Sequence, residues 1–324
     1  MSKSTFAAIA AASAATGAGL TAFFYSQNPR QPPALPPQQK LSTFDSTAPA
    51  PPLPKAPSPK SPSPVDPAGV LQYGFPGPVA DTIAALPLHG AYDRRTRNPA
   101  WVAEHITPQS VAMNNADRKH SAFTEDQTIP DAFRARLGDY FRSGYDRGHQ
   151  VPAADAKWSQ AAMDGTFALT NMCPQVGEGF NRDYWSHFEF FCRGLVKRYP
   201  SVRVVTGPLY LPHRDPDGKW RVNYEVIGNP PNVAVPTHFY KVIYGEDGSA
   251  GPSGKVALAA FVLPNARIPN EKRLADFEVP IEAVERASGL EFTSKLDASR
   301  RKRLCQEVAC EVTVRDFSNA SKKN

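Results

Sequence analysis

From about residue 68 onward, the arrangement of hydrophobic and polar positions predicts more strands than helices. Runs rich in β-branched and aromatic residues predict strands at Trp101–Thr107, Phe167–Thr170, Val202–Tyr210, Val222–Ile227, Phe239–Tyr244 and Val256–Leu263. Helical periodicity predicts helices at Ala156–Met163, Asn181–Tyr199 and Ile281–Ser288. Because strands and helices do not alternate regularly, the pattern argues against a doubly wound parallel sheet and predicts an α+β fold.

The N-terminal residues follow a different pattern. No charged residue lies between Lys3 and Arg30, and the stretch Phe6–Tyr25 has the length needed to cross a bilayer, although it is rich in Ala, Gly, Ser and Thr. Three interpretations stay open: a membrane anchor, a cleaved signal peptide and a mitochondrial presequence. We expect residues 1–28 to serve as a membrane anchor or a mitochondrial targeting segment.

The composition changes again after this segment. Residues 29–67 hold 14 of the 33 prolines, which predicts a disordered, extended linker. The folded domain is then expected over residues 68–296, followed by a basic tail over residues 297–324. Within that tail, Arg300–Arg303 could be a nuclear-import-like patch, a set of phosphate contacts or a solvated run of charge.

Net charge and cysteine content limit the classes of protein to which this chain can belong. The formal net charge is +6, but residues 1–65 contribute +4 of it, so overall basicity is a weak argument for nucleic-acid binding. Four cysteines without a C-x-x-C pair argue against a disulfide scaffold and a structural zinc module. Cys173 is expected to be a small buried thiol, and Cys305 and Cys310 could form a disulfide in an oxidising compartment.

One region of the sequence concentrates residues that can carry chemistry. The tetrapeptide Asp146–His149 reads DRGH, which taken alone is as consistent with a surface turn as with a site. It is followed by LTNMCPQ at Leu169–Gln175 and then by a predicted helix. On that helix, spacings of eight and four residues place Asn181, Glu189 and Arg193 along one broad polar stripe.

These residue types together suit phosphodiester hydrolysis. A neutral histidine can act as a general base on water at pH 7. An asparagine oxygen near a carboxylate suits a hard cation such as Mg²⁺ that keeps most of its waters. Two arginines can clamp a phosphate group. The single carboxylate on the stripe argues against a site with two metal ions.

The motifs DRGH, LTNMCPQ and FNRDYW, with the glutamate and arginine that follow, resemble those of the DNA/RNA non-specific endonucleases of the ββα-metal class. Segments such as VVTGPLYLP and VAVPTHFYKVI are similar to the mitochondrial endonuclease G group within that family. The resemblance extends from about Gly74 to about Thr293. It implies a central antiparallel sheet flanked by helices and an enzyme that cuts DNA and RNA with Mg²⁺, for which Mn²⁺ can substitute.

The resemblance also implies roles for individual residues. His149 would be the general base and Asn181 the one direct protein ligand of Mg²⁺. Glu189 would hold a water of the hydrated ion, and Arg147 and Arg193 would contact the scissile phosphate or its neighbour.

Three further residues complete this comparison. Asn171 would orient His149 or the phosphate. Asp146 would shape the loop and could pair with Arg147, and Arg118 is the candidate for an additional upstream arginine. The expected products carry 5′-phosphate and 3′-hydroxyl ends.

The same resemblance implies a homodimer that degrades nucleic acid in mitochondria. We expect it to be associated with the inner membrane through Phe6–Tyr25 or to be located in the intermembrane space. Relocation to the nucleus is a further expectation. The residues leave open whether this degradation serves nucleic-acid maintenance or cell death. Two alternatives also stay open: a nucleic-acid-binding scaffold without catalytic activity, and a secreted scavenging nuclease.

Overall fold

The computed structural model describes residues 80–248 and 254–314, which all belong to one compact unit, Val79–Asn324. The strands are β1 (Ala80–Ala85), β2 (Leu88–Asp93), β3 (Asn98–Ile106), β4 (Asp146–His149), β5 (Met172–Gln175), β6 (Ser201–Leu209), β7 (His213–Arg214), β8 (Trp220–Arg221), β9 (Val226–Ile227), β10 (Val233–Ala234), β11 (His238–Glu246), β12 (Val256–Pro264), β13 (Glu278–Val279) and β14 (Arg301–Arg303). The α-helices are α1 (Pro108–Ala112), α2 (Leu137–Tyr140), α3 (Gln160–Gly165), α4 (Tyr184–Gly194), α5 (Ile281–Ser288) and α6 (Leu304–Glu307).

The centre of the unit is an eight-stranded sheet. Seven strands follow the order β1-β2-β3-β6-β11-β12-β13, and each neighbouring pair is antiparallel. The eighth strand, β14, pairs with β12 in parallel. The short strands β4 and β5 form a separate antiparallel pair. An α+β architecture is therefore confirmed.

Both faces of the sheet are buried along its long central strands. Along β11, Phe239 and Ile243 point to one face, where they pack with the aromatic side chains of α4. Tyr240 and Val242 alternate with them and pack on the opposite face with Val284 of α5. Helix α4, which lies within the candidate site, is thus fixed against the most buried part of the molecule.

Most of the long elements predicted from the sequence are confirmed. Strands β6, β11 and β12 lie within two residues of the predicted bounds, β3 begins three residues before its predicted start, and α5 coincides with its prediction. The predicted helix Asn181–Tyr199 is only partly confirmed. Asn181 ends a tight turn, Gly177–Asn181, that contains non-helical backbone angles, and helix α4 begins only at Tyr184 and is followed by a 3₁₀ turn at Leu195–Lys197.

Three of the shorter predictions are wrong in type or in bounds. The predicted strand Phe167–Thr170 ends in a 3₁₀ turn, and β5 begins only at Met172. Val222–Ile227 is a strand only at its last two residues, and its alternating apolar side chains, Val222, Tyr224 and Val226, are exposed. The predicted helix Ala156–Met163 begins instead at Gln160, where the Ser159 hydroxyl accepts a hydrogen bond from the Ala162 amide and caps it.

The C-terminal residues that the structure describes join the sheet. Arg301–Arg303 forms β14, and Arg303 pairs with Glu278. Cys305 and Cys310 form a disulfide, a pairing that the sequence leaves open. Cys173 is a buried free thiol, as the sequence predicts. Among the described residues, no helix has the length and apolar character to span a bilayer. The predicted segments 1–28 and 29–67 lie outside the described residues.

Candidate active site

The candidate site is built on β4, β5 and α4, and the chain between β4 and β5 contains α3. The DRGH tetrapeptide is β4 itself, and its residues pair with Gln175 back to Met172 on β5. Gly148 is required where the two strands meet, because a Cβ atom there would lie 2.0 Å from Oε1 of Gln175. This close approach allows His149, the next residue, to be fixed by the strand pair.

A tight turn leads from β5 into α4. Gly179 has a φ of +80° and its amide donates to Oδ2 of Asp183, so the chain reverses direction before the helix starts. The backbone amide of Asn181 donates to the Val176 carbonyl in the same turn. Beyond it, Trp185 and Phe188 of α4 pack against rings of β11 and β12. Asn181 is therefore positioned by the turn, and the residues after it by the packed helix.

His149 lies in an apolar enclosure and is only 8% exposed. Its ring centroid is 4.9 Å from that of Phe167 and 5.7 Å from that of Phe123. Burial, reinforced by the positive charge of Arg118, lowers the pKa of His149 to about 3. Its Nε2 atom is buried without a hydrogen-bond partner among the described residues. The imidazole is thus neutral at pH 7.

Asn171 is fully buried and fixes the loop after His149. Its Oδ1 accepts a hydrogen bond from the Val151 amide, at 3.0 Å. Its Nδ2 donates to the carbonyls of Val151 and Thr166, at 2.9 and 2.8 Å. Both polar atoms of the Asn171 side chain thus form hydrogen bonds with backbone groups. This geometry favours a role in orienting His149 over a direct contact with phosphate.

The outer part of the site contains Asn181, Asp146 and Arg182. Asn181 donates through Nδ2 to Oδ2 of Asp146, at 2.9 Å, so its Oδ1 is the atom that can bind a cation. Asp146 also accepts two hydrogen bonds from Arg182, at 2.7 and 2.5 Å. Although burial opposes the change, these bonds lower the pKa of Asp146.

Asp146 pairs with Arg182 and not, as the sequence suggests, with Arg147. The guanidinium of Arg147 instead lies over the ring of Phe123, 4.1 Å from its centroid. Arg182 comes close enough for two hydrogen bonds to Asp146 because it follows the tight turn Gly177–Asn181 next to β4. Arg147 is thus left exposed at the surface of the site.

The deep part of the site contains charged groups with little access to water. Arg193 pairs with Asp155 at 2.6 Å, and Asp155 is almost completely buried. Burial raises the pKa of half-buried Glu189 to about 7, although the charges of Lys241 and Arg193 act against the rise. Burial and the charge of Asp155 raise the pKa of Glu104 well above its usual value. The Oδ2 atom of Asp155 has no hydrogen-bond partner among the described residues.

Lys241 completes this deep cluster. Its Nζ donates to Oγ1 of Thr206 at 2.9 Å and lies 4.7 Å from the centroid of the Trp185 ring. A buried lysine and a buried arginine thus balance the acidic groups around Glu189. In the part of the chain that the structure describes, no group of three or more His, Cys, Asp or Glu residues could hold a metal ion.

A cleft of about 510 Å³ opens at the outer part of the site. Asn181, Asp146 and four arginines are among its lining residues, the arginines being Arg118, Arg142, Arg147 and Arg182. Arg118, the candidate upstream arginine, lies over the ring of Phe167, 5.5 Å from its centroid. The structure therefore brings Arg118 to the same place as Arg147 and Asn181.

Several residues of the site carry no signal in the sequence. Asp155 and Glu104 carry no motif, and only the fold shows that they lie beside Arg193. Phe123 and Phe167, which enclose His149, are distant from it along the chain. The apolar character of the His149 environment could be found only from the structure.

Comparison with known proteins shows the family of this chain. A sequence model described as DNA/RNA non-specific endonuclease matches residues 66–299. The chain is 63% identical over 258 residues to the "Mitochondrial nuclease" of Saccharomyces cerevisiae, covering 79% of this chain and 78% of that protein. It is 44% identical over 232 residues to "Endonuclease G, mitochondrial" of Caenorhabditis elegans, covering 71% and 73%. A crystal structure of an EndoG/EndoGI complex is similar with a TM-score of 0.66 and 45% identity, covering 73% of this chain and 97% of that chain.

Proposed function

We propose that this chain, which belongs to the DNA/RNA non-specific endonuclease family, hydrolyses phosphodiester bonds of DNA and RNA with Mg²⁺, leaving 5′-phosphate and 3′-hydroxyl ends. The observation that carries the proposal is the neutral, enclosed imidazole of His149 beside a cleft lined by arginines and Asn181. Mn²⁺ is expected to substitute for Mg²⁺.

His149 acts as the general base in this proposal. Its Nε2 has no partner among the described residues, so it can accept a proton from the attacking water. The β4–β5 pair and the hydrogen bonds of Asn171 to Val151 hold the ring in place. Because Phe123 and Phe167 surround the ring and His149 is buried, the imidazole stays neutral at pH 7.

Hard oxygen donors near Asn181 suit a magnesium ion. Asn181 would bind it through Oδ1, and Glu189 would accept hydrogen bonds from its hydration shell. Asp146 holds the Asn181 amide in the orientation that this requires. A bound Mg²⁺ would offset negative charge at the phosphate and the leaving oxygen.

Arginines position the substrate. Arg147 and Arg118 are exposed at the cleft, and Arg193 is oriented by Asp155 in the deep part of the site. Guanidinium groups bind phosphate through paired hydrogen bonds and read no base sequence. This arrangement supports cleavage with little sequence preference.

Location and assembly are also part of the proposal. The relatives named as mitochondrial nucleases support a mitochondrial protein that degrades nucleic acid. The Cys305–Cys310 disulfide favours an oxidising location outside the matrix, in the intermembrane space or at the inner membrane through Phe6–Tyr25. For the homodimer, a candidate surface is the exposed apolar series Trp220, Val222, Tyr224 and Val226.

A plasmid-cleavage assay with the full chain tests the reaction. Wild type is incubated with Mg²⁺, Mn²⁺ or EDTA, and the products are checked for a 5′-phosphate by ligation. We expect metal-dependent nicking with ligatable ends and a loss of about 100-fold or more for His149→Ala. Salt-sensitive binding without cleavage would instead support the scaffold alternative.

A further inference from the structure

Phe141 is the most exposed large hydrophobic side chain among the described residues, at 73%. Its neighbour Tyr140 is buried in an apolar cluster with Leu169 and Met172. Phe141 also lines the cleft that contains Arg147 and Asn181. A large aromatic ring is therefore presented to solvent within the proposed substrate site.

The turn that carries Phe141 is firmly held. The Ser143 hydroxyl donates to the Tyr140 carbonyl at 3.0 Å, and Arg142 has a left-handed φ of +54°, which is uncommon for a residue other than glycine. Just before it, Asp139 accepts hydrogen bonds from the Arg136 amide and from Asn232. A backbone conformation of this kind persists only where its surroundings fix it, and such positions are concentrated at functional sites.

The charges around the ring fit a nucleic-acid strand. The guanidinium of Arg142 lies 5.1 Å from the Phe141 centroid, and Arg118, Arg147 and Arg182 line the same cleft. Asp146 is the one acidic residue among the lining residues. An exposed aromatic ring surrounded by cations is the arrangement on which single-stranded nucleic acids bind, with bases stacked on the ring and phosphates contacting the cations.

We propose that Phe141 stacks on a nucleobase of the bound strand, close to the scissile phosphate, and that Arg142 contacts the adjacent phosphate. The proposal rests on the proposed nuclease function and specifies its substrate. Every base has an aromatic face, so stacking adds affinity without sequence preference. Bases within a duplex are already stacked on each other, so the contact favours single-stranded DNA, RNA and frayed ends.

Binding of an abasic oligonucleotide tests this contact directly. The full chain carries His149→Ala to prevent cleavage, and fluorescence anisotropy in Mg²⁺ gives the Kd for a single-stranded oligonucleotide and for its abasic analogue of equal length. We expect Phe141→Ala to weaken binding of the normal strand about tenfold and of the abasic strand less than about twofold. Phe141→Trp should retain the affinity of the parent.

Leu86→Ala is the matched control, since Leu86 is 68% exposed in the turn between β1 and β2 and does not line the cleft. It should change neither Kd. In the active enzyme, Phe141→Ala should raise the KM for single strands about tenfold, with kcat within about twofold and a smaller change on duplex DNA.

Two results would overturn the stacking contact: an equal loss of affinity for normal and abasic strands, or no loss for either. If the wild-type chain neither binds nor cleaves nucleic acid, the proposed function itself fails. Cleavage by wild type with an unchanged Phe141→Ala variant refutes only the stacking.

Discussion

Two ion pairs lie at the two ends of the helical region of the site, and they differ in their access to water. At the outer end, Asp146 pairs with Arg182, whose side chain is 68% exposed. At the deep end, Asp155 is 3% exposed and pairs with Arg193. Exposed pairs are screened by water and contribute little to stability, whereas a buried charge that loses its partner is strongly unfavourable.

The difference separates two tasks within one site. The deep cluster of Asp155, Glu104, Lys241 and Arg193 gives a rigid arrangement that the fold must keep intact. The outer pair orients Asn181 through Asp146, so its removal should affect cation binding more than folding. A substitution at the deep end should therefore lower stability most, and the same substitution at the outer end should mainly lower activity.

Asp155→Ala should have the largest effect on stability. It leaves the buried guanidinium of Arg193 without its carboxylate, and we expect the free energy of unfolding to fall by about 3–5 kcal/mol. Urea denaturation followed by circular dichroism measures this change. Asp146→Ala is the matched variant, with an expected loss of about 1 kcal/mol or less. Equal losses would show that the two pairs do not differ in burial as described.

Asp146→Ala should instead impair the use of the cation. Without the hydrogen bond from Asn181 to Asp146, the Asn181 amide is free to rotate, and we expect the Mg²⁺ concentration for half-maximal cleavage to rise about 10- to 100-fold. The measurement is a Mg²⁺ titration of initial rates on single-stranded DNA. An unchanged titration curve would remove the orienting role of Asp146.

The buried imidazole predicts a pH dependence of stability. The pKa of His149 in the fold is about 3, below the value of about 6.5 in the unfolded chain, so the unfolded state binds the proton between these values. Stability should fall as pH decreases from about 7 to 5, with His149 responsible for about 2 kcal/mol of the loss. Denaturation of wild type and His149→Gln at both pH values isolates this contribution, because other groups titrate in both proteins. Parallel losses in the two proteins would contradict the low pKa.

Arg182→Ala should have the smallest effect. The Arg182 side chain is mostly exposed, and the hydrogen bond between Asn181 and Asp146 stays in place without it. We expect a change in stability of at most about 1 kcal/mol and a shift of the Mg²⁺ titration smaller than that for Asp146→Ala. A shift as large as that for Asp146→Ala would mean that the ion pair, and not Asp146 alone, orients Asn181.

The sequence predicts the long strands and the residues of the motifs well, for a physical reason. Strands such as β11 and β12 are continuous apolar runs, and DRGH with Asn181, Glu189 and Arg193 lies within a short part of the chain. The helix that carries Glu189 and Arg193 was predicted too long, because Gly179 and Asp183 form a turn that hydrophobic periodicity does not record.

The environments of these residues could not be predicted in the same way. Asp155 and Arg193 are 38 positions apart, and their pairing depends on how the loop after β4 packs against α4. The enclosure of His149 by Phe123 and Phe167 likewise depends on tertiary contacts. The apolar alternation at Val222–Ile227 predicts a strand, yet Val222 and Tyr224 are exposed and precede β9, since alternation alone does not show what covers a face.

The separate roles of His149 and Asn181 are tested most directly by Mn²⁺ binding, measured by electron paramagnetic resonance, together with cleavage of the same samples. We expect His149→Ala to bind Mn²⁺ as wild type does but to lose cleavage by about 100-fold or more. We expect Asn181→Ala to lose both Mn²⁺ binding and cleavage. Unchanged Mn²⁺ binding by Asn181→Ala, or weakened binding by His149→Ala, would contradict the assignment of base and metal ligand.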